Sequence, residues 1–211
     1  RHHVQARYPN MRERFTVIWR TVWENRRALA GTAGSWFILD TTFYGNSLFS
    51  ADVTATMGLG EGIRGRTVQN LIIQSMAMPG YVLAVLFIDR IGKKRLQLLG
   101  FFGEGVVFAV MAVFHARLKR APVAFLIMYA LTFLFDNFGA NTSTFVIPAV
   151  IYPTEARSTC HGISAAFGKA GAVVGASVFL HLVSMHCPNH VCSKDVDSAL
   201  IDKGIKTVFY W

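Results

Sequence analysis

The sequence predicts an all-α integral membrane protein, and three observations support this fold class. Only 16% of the 211 residues are charged and 53% are hydrophobic, whereas soluble domains are about a quarter charged. Five apolar stretches are long enough to cross a hydrocarbon core about 30 Å thick, which takes roughly 20 helical residues. The basic residues, which give a net charge of +9, stand in blocks between those stretches, as topology signals do. This composition excludes a disordered tail, a collagen and a small disulfide scaffold.

The chain divides into a polar lead-in and one transmembrane bundle. Residues 1–27 are predicted to form a cytoplasmic segment, and its stretch RFTVIWRTVWENRR is amphipathic and suited to the membrane interface. A linker that follows a further half of the protein is an equally good interpretation. Residues 28–211 form the predicted bundle. Its complete spans are 28–50, 68–88, 96–115, 122–150 and 160–184, and 203–211 has the pattern of a truncated last helix.

Two of these spans have distinctive features. The stretch from Val68 to Ile88 carries no charge, and its internal Pro79-Gly80 predicts a kink. The fourth span is longer than a bilayer requires, so we expect it to tilt or to extend beyond the membrane.

The basic blocks predict the orientation in the membrane. If the five helices alternate, 12 Lys and Arg lie on the side of the N-terminus and 8 on the other side. Cytoplasmic loops carry the excess of Lys and Arg, so the N-terminus of the chain is predicted to be cytoplasmic. The RLKR block at 117–120 does not fit this topology. Because the positive charges form no continuous face, no nucleic-acid partner is predicted.

Four of the five spans contain ionisable residues well inside them: Asp40, Glu104, Asp136 and Lys169. Each costs about 2.5 to 3.5 kcal/mol at a helix centre on an insertion scale, so four of them imply an aqueous cavity or mutual pairing. A transport pathway or binding site is the resulting hypothesis. For Glu104 and Asp136, pairing that holds helices together is an equally good interpretation.

The first span places three polar side chains on one helical stripe. Trp36, Asp40 and Tyr44 are spaced i, i+4 and i+8, which aligns an indole, a carboxyl group and a phenol. An aromatic belt at the membrane interface is less consistent with this pattern, because Asp40 lies between the two aromatic residues. Asn137 and Asn141 repeat the i, i+4 spacing on the fourth span.

Together these residue types suit a small oxyanion. Lys169, Trp36 and Asn141 can donate hydrogen bonds, and Lys169 also supplies positive charge. An ionised Asp40 repels an anion, so we expect Asp40 to be protonated when the anion is bound. The proton and the anion are then loaded together. No phosphate loop, zinc motif or nucleophile elbow is present in the sequence, which favours a transporter over an enzyme, with no cofactor and no metal.

Four stretches resemble a known family: GTAGSWFILDTTFYGNSL at 31–48, DRIGKKR at 89–95, NFGANTSTFVIP at 137–148 and YPTEARSTCHGISAAFGKAGAVVGA at 152–176. They closely resemble the proton-coupled inorganic phosphate symporters of the major facilitator superfamily, the high-affinity transporters of fungi and plants. DRIGKKR is a signal of the whole superfamily, whereas the first and last stretches are much more specific.

The resemblance implies the C-terminal six-helix half of such a transporter, with five complete helices and a truncated sixth. The implied location is multi-pass in the plasma membrane. Its implied partners are inorganic phosphate, protons, the lipid bilayer and the N-terminal six-helix half. Because alternating access moves one half against the other around a central site, a lone half is not expected to transport.

The resemblance also implies roles for individual residues. Those implied to bind phosphate are Trp36, Asp40, Tyr44, Asn141 and Lys169. Asp40 is the implied proton-coupling carboxyl group, and Lys169 is the cation tied to binding and coupling. Asp89 and Arg90 belong to an implied cytoplasmic gating loop. Gln74, Asn137 and Asp136 are weaker pore-lining candidates. The resemblance assigns no role to Glu104.

Two other functional interpretations stay open from the sequence. One is a carrier of the same fold for another substrate, such as a sugar or an organic ion. The other is a non-transporting phosphate receptor or the product of a decayed gene.

Overall fold

The described structure is helical, as the predicted fold class requires. It is a computed structural model that describes residues 11–48, 50, 62–118 and 120–185. In chain order the helices are α1 (Met11–Glu24), α2 (Arg26–Leu48), α3 (Gly62–Ile91), α4 (Lys93–Val113), α5 (His115–Leu118), α6 (Pro122–Phe135), a π-helical segment (Asp136–Asn141), α7 (Thr142–Ile151) and α8 (Arg157–Met185). The predicted start of a last helix at 203–211 lies outside the described residues.

Glycine and proline set several of these boundaries. Gly92 separates α3 from α4 and has a φ of +90°, a left-handed conformation that glycine adopts without a steric penalty. One residue is therefore enough to end one helix and begin the next. Pro122 stands at the start of α6, where its missing N–H has no intrahelical partner to lose.

One hydrophobic core lies among α3, α4 and α6. Tyr129 and Met111 are fully buried at its centre. The buried members of this core are Ile73, Ala77, Val107, Met111, Ala112, Phe125, Leu126, Tyr129 and Phe133. The core positions the π segment, which continues from α6 and packs on α3 and α4.

The second packing unit is the pair α2 and α8, which make the most extensive contact between two helices of the described structure. Gly171 and Gly175 of α8 lie so close to α2 that a Cβ atom on either would collide with the carbonyl oxygens of Phe37 and Thr41, respectively. Thr41 Oγ1 also donates a hydrogen bond to the carbonyl oxygen of Gly171 at 3.1 Å. Small residues thus bring the two backbones together, as is common between membrane helices.

Buried hydrogen bonds tie α2 to the rest of the molecule. The Thr32 hydroxyl is 2.7 Å from the Tyr152 hydroxyl and 2.8 Å from the Ser164 hydroxyl. Near the other end of α2, Tyr129 donates to the carbonyl oxygen of Asn46 at 2.7 Å. These contacts hold α2 against both α6 and α8.

Three described stretches are long and apolar enough to cross a membrane: Ile63–Ile91, Lys93–Val113 and Pro122–Ile151. They correspond to the second, third and fourth predicted spans. Helices α2 and α8, with 23 and 29 residues, are long enough but richer in glycine, serine and threonine. They are not among the three stretches, so the count of five spans stays a prediction.

The fourth span runs unbroken from Pro122 to Ile151, close to the predicted 122–150. The π segment within it was not predicted. There the hydroxyl of Thr142 donates to the carbonyl oxygen of Asn137 at 2.7 Å, five residues earlier. Single π turns inside helices are frequent at functional sites.

Candidate functional site

The structure brings together three of the predicted site residues at the contact of α2 with α8. Lys169 Nζ on α8 donates to Asp40 Oδ2 at 3.2 Å and to the Tyr44 hydroxyl at 2.9 Å. The same ammonium lies 4.7 Å from the centroid of the Tyr44 ring. One cation therefore links a carboxylate and a phenol that lie one turn apart on α2.

Burial differs sharply within this group. The Asp40 side chain is 6% exposed, whereas that of Lys169 is 62% exposed. Asp40 is enclosed because α8 approaches closely at Gly168, where an added Cβ would lie 3.0 Å from Asp40 Oδ2. The ammonium, by contrast, is open to an approaching anion.

Trp36 lies one turn before Asp40 and is buried, with 7% of its surface exposed. Its ring contacts Phe145, with centroids 5.4 Å apart, and His161, with centroids 6.3 Å apart. The Trp36 indole N–H has no hydrogen-bond partner among the described residues. Gly168 leaves room for this ring too, since a Cβ there would lie 2.9 Å from Trp36 Cε3.

Asn141 belongs to a second polar group, between the π segment and α3. Its amide donates to the Tyr81 hydroxyl at 2.9 Å and to Asn137 Oδ1 at 3.0 Å. Asn137 in turn donates to the carbonyl oxygen of Ala77 at 3.4 Å. The structure thus places Asn141 with Tyr81 and Asn137, while Lys169 bonds to Asp40 and Tyr44.

Tyr81 was not predicted as a site residue. A single phenol in an apolar stretch, directly after Pro79-Gly80, was the available signal. Its partner on the fourth span follows only from the packing of α3 on the π segment, which the sequence pattern does not specify.

The remaining candidates lie elsewhere. Gln74 is exposed on α3, and Asp89 and Arg90 are exposed near its end, just before Gly92. Asp136 is 2% exposed and is enclosed in the helix packing together with Glu104, which is 5% exposed. The described structure assigns none of these residues a role in phosphate binding.

A cavity of about 560 Å³ lies between α2, α4 and α7, apart from the Lys169 group. Its wall is mostly apolar, and its polar residues are Thr32, Ser35, Lys93, Lys94, Gln97 and Thr144. Across the described ranges, no group of three or more His, Cys, Asp or Glu side chains is placed to hold a metal ion.

Comparison with known proteins gives a family match over most of the chain. The sequence profile of the family described as "Sugar (and other) transporter" matches residues 3–189. The low affinity inorganic phosphate transporter 1 of Petunia hybrida is 47% identical over 165 residues, which cover 72% of this chain and 31% of that protein.

Further relatives come from other plants. The inorganic phosphate transporter 1-1 of Arabidopsis thaliana is 41% identical over 188 residues, 83% of this chain and 34% of that protein. The probable inorganic phosphate transporter 1-8 of Oryza sativa subsp. japonica is 44% identical over 165 residues, 72% of this chain and 30% of that protein. The chain thus spans about a third of the length of the curated relatives it matches.

Proposed function

Because the chain belongs to the sugar (and other) transporter family of the major facilitator superfamily, we propose that it forms part of a proton-coupled carrier of inorganic phosphate. Lys169, Asp40 and Tyr44 supply its central binding group. The observation that carries this proposal is the position of the exposed Lys169 ammonium, within hydrogen-bond distance of the Asp40 carboxylate and the Tyr44 phenol. Relatives named inorganic phosphate transporters support phosphate as the substrate.

The donors of this group match an oxyanion. The ammonium of Lys169 offers charge and up to three N–H bonds, and the Tyr44 hydroxyl is a further donor. The unpartnered N–H of Trp36 lies one helical turn away on the same stripe. Asn141 completes the proposed set from the π segment. Its two amide N–H groups donate to Tyr81 and Asn137, so phosphate replaces one of these two acceptors in the proposed bound state.

Proton coupling follows from competition for Lys169. The ionised Asp40 holds the ammonium at 3.2 Å, and a phosphate anion needs the same charge. Protonation of Asp40 removes that competitor and turns the carboxyl group into a donor. Proton and phosphate therefore bind together in the proposed mechanism, and release of one favours release of the other.

The helices that carry this group differ from the others in a way that fits a pathway. Asp40 and Lys169 lie on α2 and α8, the two long helices that are not among the apolar membrane-crossing stretches. Helices that face an aqueous path need less apolar surface than helices that face lipid. We therefore assign α2 and α8 as the remaining two of five spans, facing the pathway.

The same proposal sets the topology. Residues 1–27 are the cytoplasmic segment, 28–211 form the C-terminal bundle in the plasma membrane, and Asp89 with Arg90 lies in a cytoplasmic gating loop. The N-terminal six-helix half of a carrier supplies the opposite wall of the site, since alternating access requires two halves. The chain alone is expected to bind phosphate without transporting it.

The experiment expresses the chain in cells that lack high-affinity phosphate uptake, alone and together with the N-terminal half of the petunia relative. Radiolabelled phosphate uptake is measured at acidic and neutral external pH, and phosphate binding is measured on the purified proteins. The expected result is uptake with an acid-side preference only when both halves are present. If excess sugar inhibits this uptake more strongly than an equal excess of unlabelled phosphate, the preferred substrate is a sugar and not phosphate. If both halves reach the membrane and neither uptake nor phosphate binding is observed, the proposal is overturned.

A further inference from the structure

Two acidic side chains outside the Lys169 group are enclosed in the helix packing. Glu104 of α4 is 5% exposed and Asp136 of the π segment is 2% exposed. Neither carboxylate oxygen of Asp136 has a hydrogen-bond partner among the described residues. An unpaired carboxylate buried in this way is costly, so the ionised form of Asp136 is disfavoured there.

The contacts between α4 and the fourth span place the two acids at the same level. Gly100 packs against Gly139, whereas Gly103 packs against the ring of Phe135. From Gly100 to Gly103 the chain of α4 runs three residues forward, whereas its contact on the partner moves four residues backward, from Gly139 to Phe135. The two elements are therefore antiparallel. Glu104 follows Gly103, and Asp136 follows Phe135.

Both acids also lie on the faces that meet. Glu104 is one turn beyond Gly100 on α4, and Asp136 is about one turn before Gly139. Since the two glycines form the closest contact between these elements, Glu104 and Asp136 extend the same interface.

Among the described residues, the charged and titratable groups that act electrostatically on Asp136 include no cation. They are Glu104 from α4, Asp40 from α2 and the phenol of Tyr81 from α3. Lys169 from α8 is bonded to Asp40 and Tyr44 instead. Two carboxylates in one low-dielectric interface do not both ionise readily, because each opposes the charge of the other.

We propose that Glu104 and Asp136 form a second proton-binding site, which holds one proton between them and is separate from Asp40. A proton on the pair leaves one negative charge in the interface and supplies an O–H donor in place of a second charge. Loss of that proton places two negative charges between α4 and the π segment. The packing of these elements then depends on the charge of the pair.

This site is coupled to the polar group on α3 through the chain itself. Asp136 precedes Asn137, which bonds to Asn141 and to the backbone of Ala77. A shift of the π segment on deprotonation therefore moves Asn137 and Asn141 relative to α3. The inference does not depend on phosphate as the substrate, since it concerns proton binding by this chain alone.

Infrared spectroscopy of the purified chain in detergent tests the site without any transport assay. A carboxyl group that stays protonated at neutral pH in an apolar environment has a carbonyl stretching band that a carboxylate lacks. We expect this band in the wild-type chain, its loss in the double variant Glu104→Gln, Asp136→Asn, and its retention in Asp40→Asn. Far-ultraviolet circular dichroism checks that each variant keeps its helices.

The outcomes separate the possibilities. Absence of the band from the folded wild-type chain at neutral pH overturns the proposal without any variant. Retention of the band in the folded double variant, or its loss in Asp40→Asn, overturns it as well. As a second measurement, the midpoint of thermal unfolding should fall from acidic to alkaline pH in the wild type and fall less in the double variant, because raising the pH places a second charge in the buried interface.

Discussion

Lys169 Nζ lies 3.2 Å from Asp40 Oδ2, across the most extensive helix contact of the described structure, yet the lysine side chain is 62% exposed and the aspartate side chain only 6%. An anion can therefore approach the Lys169 ammonium directly from solvent. The Asp40 carboxyl group, in contrast, is enclosed in the contact of α2 with α8. In the proposed mechanism the two residues have different tasks, which substitutions can separate.

Asp40→Asn is expected to remove the acid-side preference of phosphate uptake by the two halves together, because an amide neither takes up nor releases a proton at these pH values. Phosphate binding by the purified chain should persist, since Lys169 no longer has a carboxylate competitor. The control is Glu24→Gln, which breaks an exposed pair with Arg20 at 2.9 Å and should change neither property. Unchanged pH dependence in Asp40→Asn would remove Asp40 from the coupling step.

Lys169→Gln is expected to weaken phosphate binding by about 10- to 100-fold, because a hydrogen bond to a charged group contributes about 1.5 to 3 kcal/mol. Equilibrium binding of radiolabelled phosphate to the purified chain measures this loss. Lys94→Gln is the matched control, since Lys94 is exposed at the start of α4 and lines the separate cavity. Equal losses in both variants would indicate general attraction to positive charge and contradict a site at Lys169.

The close contact of α2 with α8 predicts opposite effects for two glycines of the same helix. Gly171→Ala should destabilise the chain by about 1 to 3 kcal/mol, because the new Cβ collides with the Phe37 carbonyl oxygen and forces backbone shifts. Gly162→Ala, with no atom within 4 Å of the added Cβ, should be neutral or stabilising by up to about 1 kcal/mol. Thermal unfolding in detergent measures both, and equal midpoints would mean that α8 does not pack on α2 at Gly171.

Much of the fold was predictable because apolar length alone identifies helices that are long and apolar enough to cross a membrane. The stretches at 68–88, 96–115 and 122–150 match described helices with small shifts at their ends, and the Trp36, Asp40 and Tyr44 stripe follows from helical periodicity. The apolar criterion was less informative for α2 and α8, where small and polar residues replace the aliphatic ones.

What the sequence did not predict depends on contacts between helices. The π segment adds one residue to a turn within an otherwise regular apolar helix, and no spacing in Asp136–Asn141 marks it. The bond from Asn141 to Tyr81 and the shared level of Glu104 and Asp136 both require the register of neighbouring helices. Periodicity fixes which residues of one helix share a face, but it does not fix which residue of another helix lies opposite.

The position of Asn141 allows a test of whether it binds phosphate or only holds α3. Asn141→Ala is expected to weaken phosphate binding by about tenfold, the equivalent of one lost hydrogen bond of about 1.4 kcal/mol. Tyr81→Phe removes the partner hydroxyl at 2.9 Å and leaves the amide in place, so binding should change by less than about twofold. Equal losses in the two variants would instead assign Asn141 to the packing of α3 on the π segment.

Trp36 provides the sharpest separation between a structural and a binding role. Trp36→Phe keeps an aromatic ring beside Phe145 and His161 and removes an N–H that has no partner in the described structure. Loss of an unsatisfied buried donor offsets part of the cost of the smaller ring, so the free energy of unfolding should change by no more than about 1 kcal/mol. If the N–H donates to bound phosphate, binding weakens by about tenfold despite this small change in stability. Phosphate binding equal to that of the wild-type chain would make Trp36 a packing residue, and the anion would then be held by Lys169, Tyr44 and Asn141 without it.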